Sequence, residues 1–103
     1  MKYLTFLFLE FLLLTNFAIA ETIPTKSKIL KEASFCIKDS QAQVCKKLFS
    51  EIEKLQLLVF DQNRFKCQSS LLGMQSAIIE AYFFKNFSHE RISLTIPYVI
   101  KNC

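Results

Sequence analysis

Four cysteines constrain this chain more than any other feature: Cys36, Cys45, Cys67 and Cys103 follow an apolar leader in a sequence of 103 residues. Lys2 gives the leader a positive start, and Leu4 to Leu14 is apolar but for Thr5 and Glu10. Ala18-Ile19-Ala20 closes it with the small-x-small pattern that the narrow pocket of a signal peptidase admits. We read residues 1–20 as a secretory signal cut between Ala20 and Glu21, ahead of one small domain at 21–103. An apolar stretch of about eighteen residues with a carboxylate inside it is short and costly as a membrane span. No cysteine follows it directly to carry a lipid anchor. The expected destination is a periplasm, a thylakoid lumen or the extracellular medium, where thiols oxidise.

In such a compartment four cysteines give up to two disulfides, and three pairings are formally open. The helical pattern selects among them. Ile29, Leu30, Ala33, Cys36 and Ile37 form the apolar face of a first helix, with Thr25 as its cap and Lys38-Asp39 as its end. Ser40 and Gln43 have the spacing of a capping box, which starts a second helix there. Its stripe is Val44, Leu48, Ile52, Leu55 and Val59. Asp61-Gln62-Asn63 breaks the pattern and can cap a third helix, where Cys67, Leu71, Met74, Ile78 and Ala81 recur at steps of four and three. Gly73 lies inside this helix, as expected where a neighbouring helix comes close. Residues 85–88 form the next turn. From there Ile92, Ile96, Val99 and Cys103 fit a helix capped by Ser88, while Ile92, Leu94, Ile96 and Tyr98 also alternate like a strand. Pro97 opposes both, and a lone strand has no partner, so we expect a kinked or late-starting helix.

The fold class is therefore all-α: two antiparallel hairpins of about four helices. Antiparallel packing sets Cys36 beside Cys45 and Cys67 beside Cys103, one disulfide per hairpin. A zinc site of four cysteines needs close pairs that these spacings lack, and C-x-x-C redox spacing is absent. No cofactor is expected.

Chemistry is scarce. A single histidine, His89, would have to serve any His-dependent nucleophilic site, and it sits beside Glu90 at a predicted helix start. Glu51 and Glu53 are two apart on a helix and point to different faces, which is poor geometry for paired acid–base work. Glu80 reads as a wet-face residue. One glycine excludes glycine-rich phosphate loops. We expect no enzyme. Asn86-Phe87-Ser88 matches the N-glycosylation acceptor pattern.

Two features suggest a surface instead. Lys26, Lys28, Lys31, Lys38, Lys46 and Lys47 face only Glu32 and Asp39, so the whole formal charge of +4 lies in one stripe. An exported chain rarely meets nucleic acid, and a stripe of this kind suits an acidic partner or a solvated face. Tyr82, Phe83, Phe84 and Phe87 are four aromatics within six residues and cannot all face one side of a helix. Some seal the hairpin tip and one or two remain exposed, as a contact for an unidentified protein partner would be. Lys46 and Lys47 are the basic candidates for that contact. A membrane enters only through the leader, if it is left uncleaved.

The run Cys67-Gln68-Ser69-Ser70-Leu71-Leu72-Gly73-Met74-Gln75-Ser76-Ala77, preceded by Cys36 and Cys45 and closed by Cys103, resembles small exported four-cysteine helical proteins of cyanobacteria. That resemblance covers residues 36–103 and implies helical hairpins of a tetratricopeptide-like kind, without an assigned activity. Pro97 departs from it. A fainter likeness is to periplasmic amidase-immunity proteins of type VI secretion, which are also small, helical and disulfide-bonded. The expected function is protein binding without catalysis; the alternative is a periplasmic inhibitor or immunity-type protein that neutralises a secreted enzyme.

Overall fold

A computed structural model describes residues 23–39, 41–84 and 89–103. The leader at 1–20, Ser40, Asn86, Phe87 and Ser88 lie outside the described residues. Helix α1 spans Lys26–Lys38, α2 Gln43–Asp61, α3 Phe65–Ile78 and α4 Glu90–Asn102, and α3 runs on into a π-helical turn over Ile79–Phe83. No strand occurs among the described residues, so the alternating pattern of 92–98 does not form one.

Local chemistry accounts for most boundaries. The Thr25 hydroxyl accepts the Lys28 N–H at 3.2 Å and starts α1 as expected. The second boundary differs from the capping box. Helix α2 starts behind Ala42, which has no capping side chain. The loop donors go elsewhere: the Asp39 carboxylate accepts the Gln41 N–H at 3.1 Å, and its carbonyl accepts that of Ala42. Gln41 Nε2 then donates to the Ala81 carbonyl of the π-helical turn at 3.1 Å, so a tertiary contact holds this loop.

Asn63 ends α2 rather than capping α3. It takes the left-handed conformation at φ 60°. Arg64 N–H reaches back to the Val59 carbonyl at 2.8 Å, and Asn63 N–H to that of Phe60 at 3.0 Å. This is the Schellman pattern, with asparagine in the place glycine usually takes. Helix α3 follows behind Arg64, again without a side-chain cap.

Helix α4 runs straight through Pro97 in its hydrogen-bonded range. The ring is exposed, as is Ser93, whose carbonyl loses its helical donor, so water can supply what the proline lacks. Its first cap is His89, without a side-chain bond.

The expected stripes form one core. Ile29, Ala33, Leu48, Ile52, Leu55, Val59, Leu71, Met74, Ile78, Ala81, Ile92 and Val99 are buried together, with Ile96 packed on them. Each helix touches two neighbours: α1 on α2, α2 on α3, α3 on α4, and α4 back on α1. The diagonal pairs do not meet among the described residues, which makes the two hairpins one closed antiparallel bundle.

Both expected disulfides are present, Cys36–Cys45 with Cα atoms 5.0 Å apart and Cys67–Cys103 at 4.7 Å. They staple opposite ends of the bundle. Gly73 corrects an expectation: a Cβ there would meet nothing within 4 Å, so none of the described helices closes on it.

Candidate functional site

The π-helical turn decides what the aromatic run presents. Widening the helix so that Phe84 N–H bonds the Ile79 carbonyl at 3.1 Å shifts the phase of every following side chain. Ala81 points into the core and Tyr82 is half-buried against it. Phe83 is 46% exposed and Phe84 63% exposed. Phe83 does not stand alone: its ring meets the edge of Tyr82 at 4.9 Å and of Phe49, on α2, at 5.3 Å. Phe49 therefore belongs to the surface although the aromatic cluster in the sequence did not include it. Phe87 lies outside the described residues.

The two candidate lysines part company. Lys46 is exposed, one helical turn before Phe49. Lys47 is engaged in the fold: its Nζ lies 3.6 Å from Glu32 and 3.9 Å from Glu51. Lys28 is also committed, 3.0 Å from Glu51, and Lys26 donates to the Ile100 carbonyl at 3.4 Å. The basic stripe is thus partly consumed in joining α1 to α2 and α4. Lys38 lies 5.6 Å from the ring centroid of exposed Phe35.

Glu32 and Glu51 form the second polar centre. They are only 9% and 7% exposed, and in each one Oε2 meets no donor in the described structure. Each carboxyl acts on the titration of the other. Burial, then the bond to Glu51 and that residue's charge, push the Glu32 carboxyl above the usual value; Lys47 and Lys28 oppose this. For Glu51 burial alone would act the same way. The bonds from Glu32 and Lys28 and the charges of Lys28 and Lys47 outweigh it and hold the group down. Of the two, Glu32 is therefore the carboxyl that keeps its proton to the higher pH. Beside the pair an open depression of about 700 Å³ is lined by Glu32, Gln43, Val44, Lys46, Lys47 and Ser50.

Sequence reasoning paired Glu51 with Glu53 and dismissed both. The usable signal lay elsewhere: Glu32 sits three residues after Ile29 and four before Cys36, and Glu51 three after Leu48 and four before Leu55. Each carboxylate is therefore on the edge of an apolar stripe.

A third polar centre joins α2 to α3. Gln68 Nε2 donates to Gln56 at 3.0 Å, Gln56 to Glu53 at 3.2 Å, and Gln75 to Glu53 at 2.9 Å and to the Phe49 carbonyl at 3.3 Å. Gln68 and Gln75 are the two glutamines of the Cys67–Ala77 run, so that run carries a structural brace. Glu80 pairs with Arg91 across α3 and α4. Among the described residues no group of three or more His, Cys, Asp or Glu side chains is placed to hold a metal ion. No helix there is long and apolar enough to cross a membrane.

No family model matches this chain, and no curated protein or solved structure matches it either.

Proposed function

We propose that this chain is a small exported scaffold that binds another protein through the aromatic end of α3, without catalysis. The observation that carries this reading is the exposure of Phe83 and Phe84 together at the π-helical turn. Large aromatics of this kind anchor protein interfaces when they stand on a rigid base. Here the base is rigid: Gln41 ties the α1–α2 loop to Ala81, and Phe49 and Tyr82 hold the Phe83 ring edge-on. Lys46 stands beside this surface and suits a partner with an acidic rim. The two disulfides fit an oxidising compartment, and we place export in the leader at 1–20.

A photo-crosslinking residue at position 84, in the exported protein in its native compartment, tests this. The control is position 72, an exposed leucine on the same helix. A discrete protein adduct from position 84 that is absent from position 72 supports the reading. No adduct, or the same adducts from both positions, refutes it. Intact mass of the exported protein tests the leader, since cleavage gives a chain that begins at Glu21.

A further inference from the structure

Helix α4 carries an apolar face that the described residues leave uncovered. Ile92, Ile96, Val99 and Cys103 turn toward the bundle. At about 100° per residue, Leu94 and Tyr98 fall on the opposite side, one turn apart. They are 68% and 62% exposed, which only Phe84 matches among the large hydrophobic side chains described.

Charge brackets this face. Glu90 lies in the first turn of α4 and Lys101 in the last, both exposed. Eleven residues make just over three full turns, so these two share the side that carries Leu94. Neither has an ion-pair partner within the chain among the described residues. Arg91, the other cation at this end, is drawn away by Glu80 of the π-helical turn.

The arrangement is self-complementary. The midpoint between Glu90 and Lys101 falls between Thr95 and Ile96, and the midpoint between Leu94 and Tyr98 falls on Ile96. One two-fold axis near that point satisfies both pairs. We propose that α4 is a self-association surface: two copies of this chain pair their α4 helices antiparallel across Leu94 and Tyr98. Glu90 of each copy then faces the partner's Lys101. A parallel pairing would set Glu90 beside the partner's Glu90 and Lys101 beside the partner's Lys101, so charge fixes the orientation. An interface of this kind is isologous, as in most homodimers. A single helix pair buries less than a standard interface, so the dimer is weak, with a Kd on the order of 0.1 mM.

Sedimentation equilibrium of the disulfide-intact exported protein over a range of concentrations reads this directly. The expected result is a reversible dimer that salt weakens. Glu90→Lys and Lys101→Glu should each raise the dissociation constant about tenfold, and the double swap E90K/K101E should restore it. The restored double variant separates pairing from misfolding, because fold damage from two substitutions does not cancel. Leu94→Lys should abolish the dimer while the helical circular dichroism stays as in the parent chain. A chain that stays monomeric to about 1 mM, or a double swap that dimerises no better than either single variant, overturns the proposal. The test leaves the aromatic end of α3 intact, so the two surfaces succeed or fail separately.

Discussion

Glu32 of α1 and Glu51 of α2 meet at Lys47 on the flank of the first hairpin, 3.6 Å and 3.9 Å from its Nζ, with Lys28 3.0 Å from Glu51. The two carboxyls titrate in opposite directions from the ordinary 4.5. Glu32, raised, stabilises the fold fully below 4.5, and this contribution fades as pH climbs through its folded value. Glu51, lowered, stabilises above 4.5, and its contribution fades as pH falls through its folded value. Both are present together only in a mildly acidic window around 4.5.

That window can be measured. Urea midpoints across pH should peak in mild acid and fall toward neutrality. Glu32→Gln keeps a donor facing Glu51 without a titrating proton, so it should remove the neutral-side fall and stabilise the chain at pH 7 by about 1 kcal/mol. Loss of the Lys47 contact subtracts little, since that lysine is 61% exposed. A Gln variant whose profile runs parallel to the parent would refute the raised titration of Glu32.

Gly73 gives a second expectation. Alanine there meets only open space, and glycine inside a helix costs about 1 kcal/mol relative to alanine. Gly73→Ala should raise stability by about that amount in thermal or urea unfolding. A destabilised variant would reveal a close contact at this position.

The two disulfides should not contribute equally. They close loops with sequence separations of 9 and 36, and the chain-entropy relation gives about 2.7 kcal/mol for the shorter and about 3.8 kcal/mol for the longer. Paired alanine substitutions at Cys67 and Cys103 should therefore lower the unfolding free energy more than those at Cys36 and Cys45. The reverse order would show that the first hairpin depends on its disulfide for more than chain entropy.

Phe83 and Phe84 should also behave differently. Phe84→Ala removes an exposed ring that has no ring partner among the described residues, so stability should stay within about 0.5 kcal/mol. Phe83→Ala removes two edge contacts, each worth about 0.5–1.5 kcal/mol. Both should weaken partner capture. A large stability loss at Phe84 would return that ring to a structural role.

Gln75→Ala deletes the donor that reaches Glu53 and the Phe49 carbonyl, and should cost about 1–2 kcal/mol in the same assay. An unchanged midpoint would mean that water replaces the brace at no cost.

Some of this molecule was legible residue by residue, because helical periodicity is local. Ile29 to Cys36, Leu48 to Val59 and Cys67 to Ala81 each announce a buried stripe. Short connections between them force antiparallel neighbours, which is enough to pair Cys36 with Cys45 and Cys67 with Cys103. The cap at Thr25 was readable for the same reason, since its partner Lys28 lies within one turn. Starting α2 at Ser40 failed because Asp39 and the distant Ala81 carbonyl took the loop's hydrogen bonds. Reading Asn63 as a cap for α3 failed because its left-handed backbone closes the helix before it.

The helices, their apolar faces and the disulfide pairing were legible in the sequence, since each depends on spacing along one segment or across one short turn. How the two hairpins pack on each other was not, because that depends on contacts between segments far apart in the chain. Once α4 closes on α1, Leu94 and Tyr98 are left outside and Lys26 is drawn to Ile100. Once α1 lies along α2, Glu32 and Glu51 meet and take up Lys28 and Lys47 from the basic stripe. Once α2 meets α3, Gln56, Gln68 and Gln75 become a brace and Phe49 joins the aromatic end. Polar pairing of this kind acts over a few ångströms in space, and residues from 12 to 74 positions apart reach that range only after the core has packed.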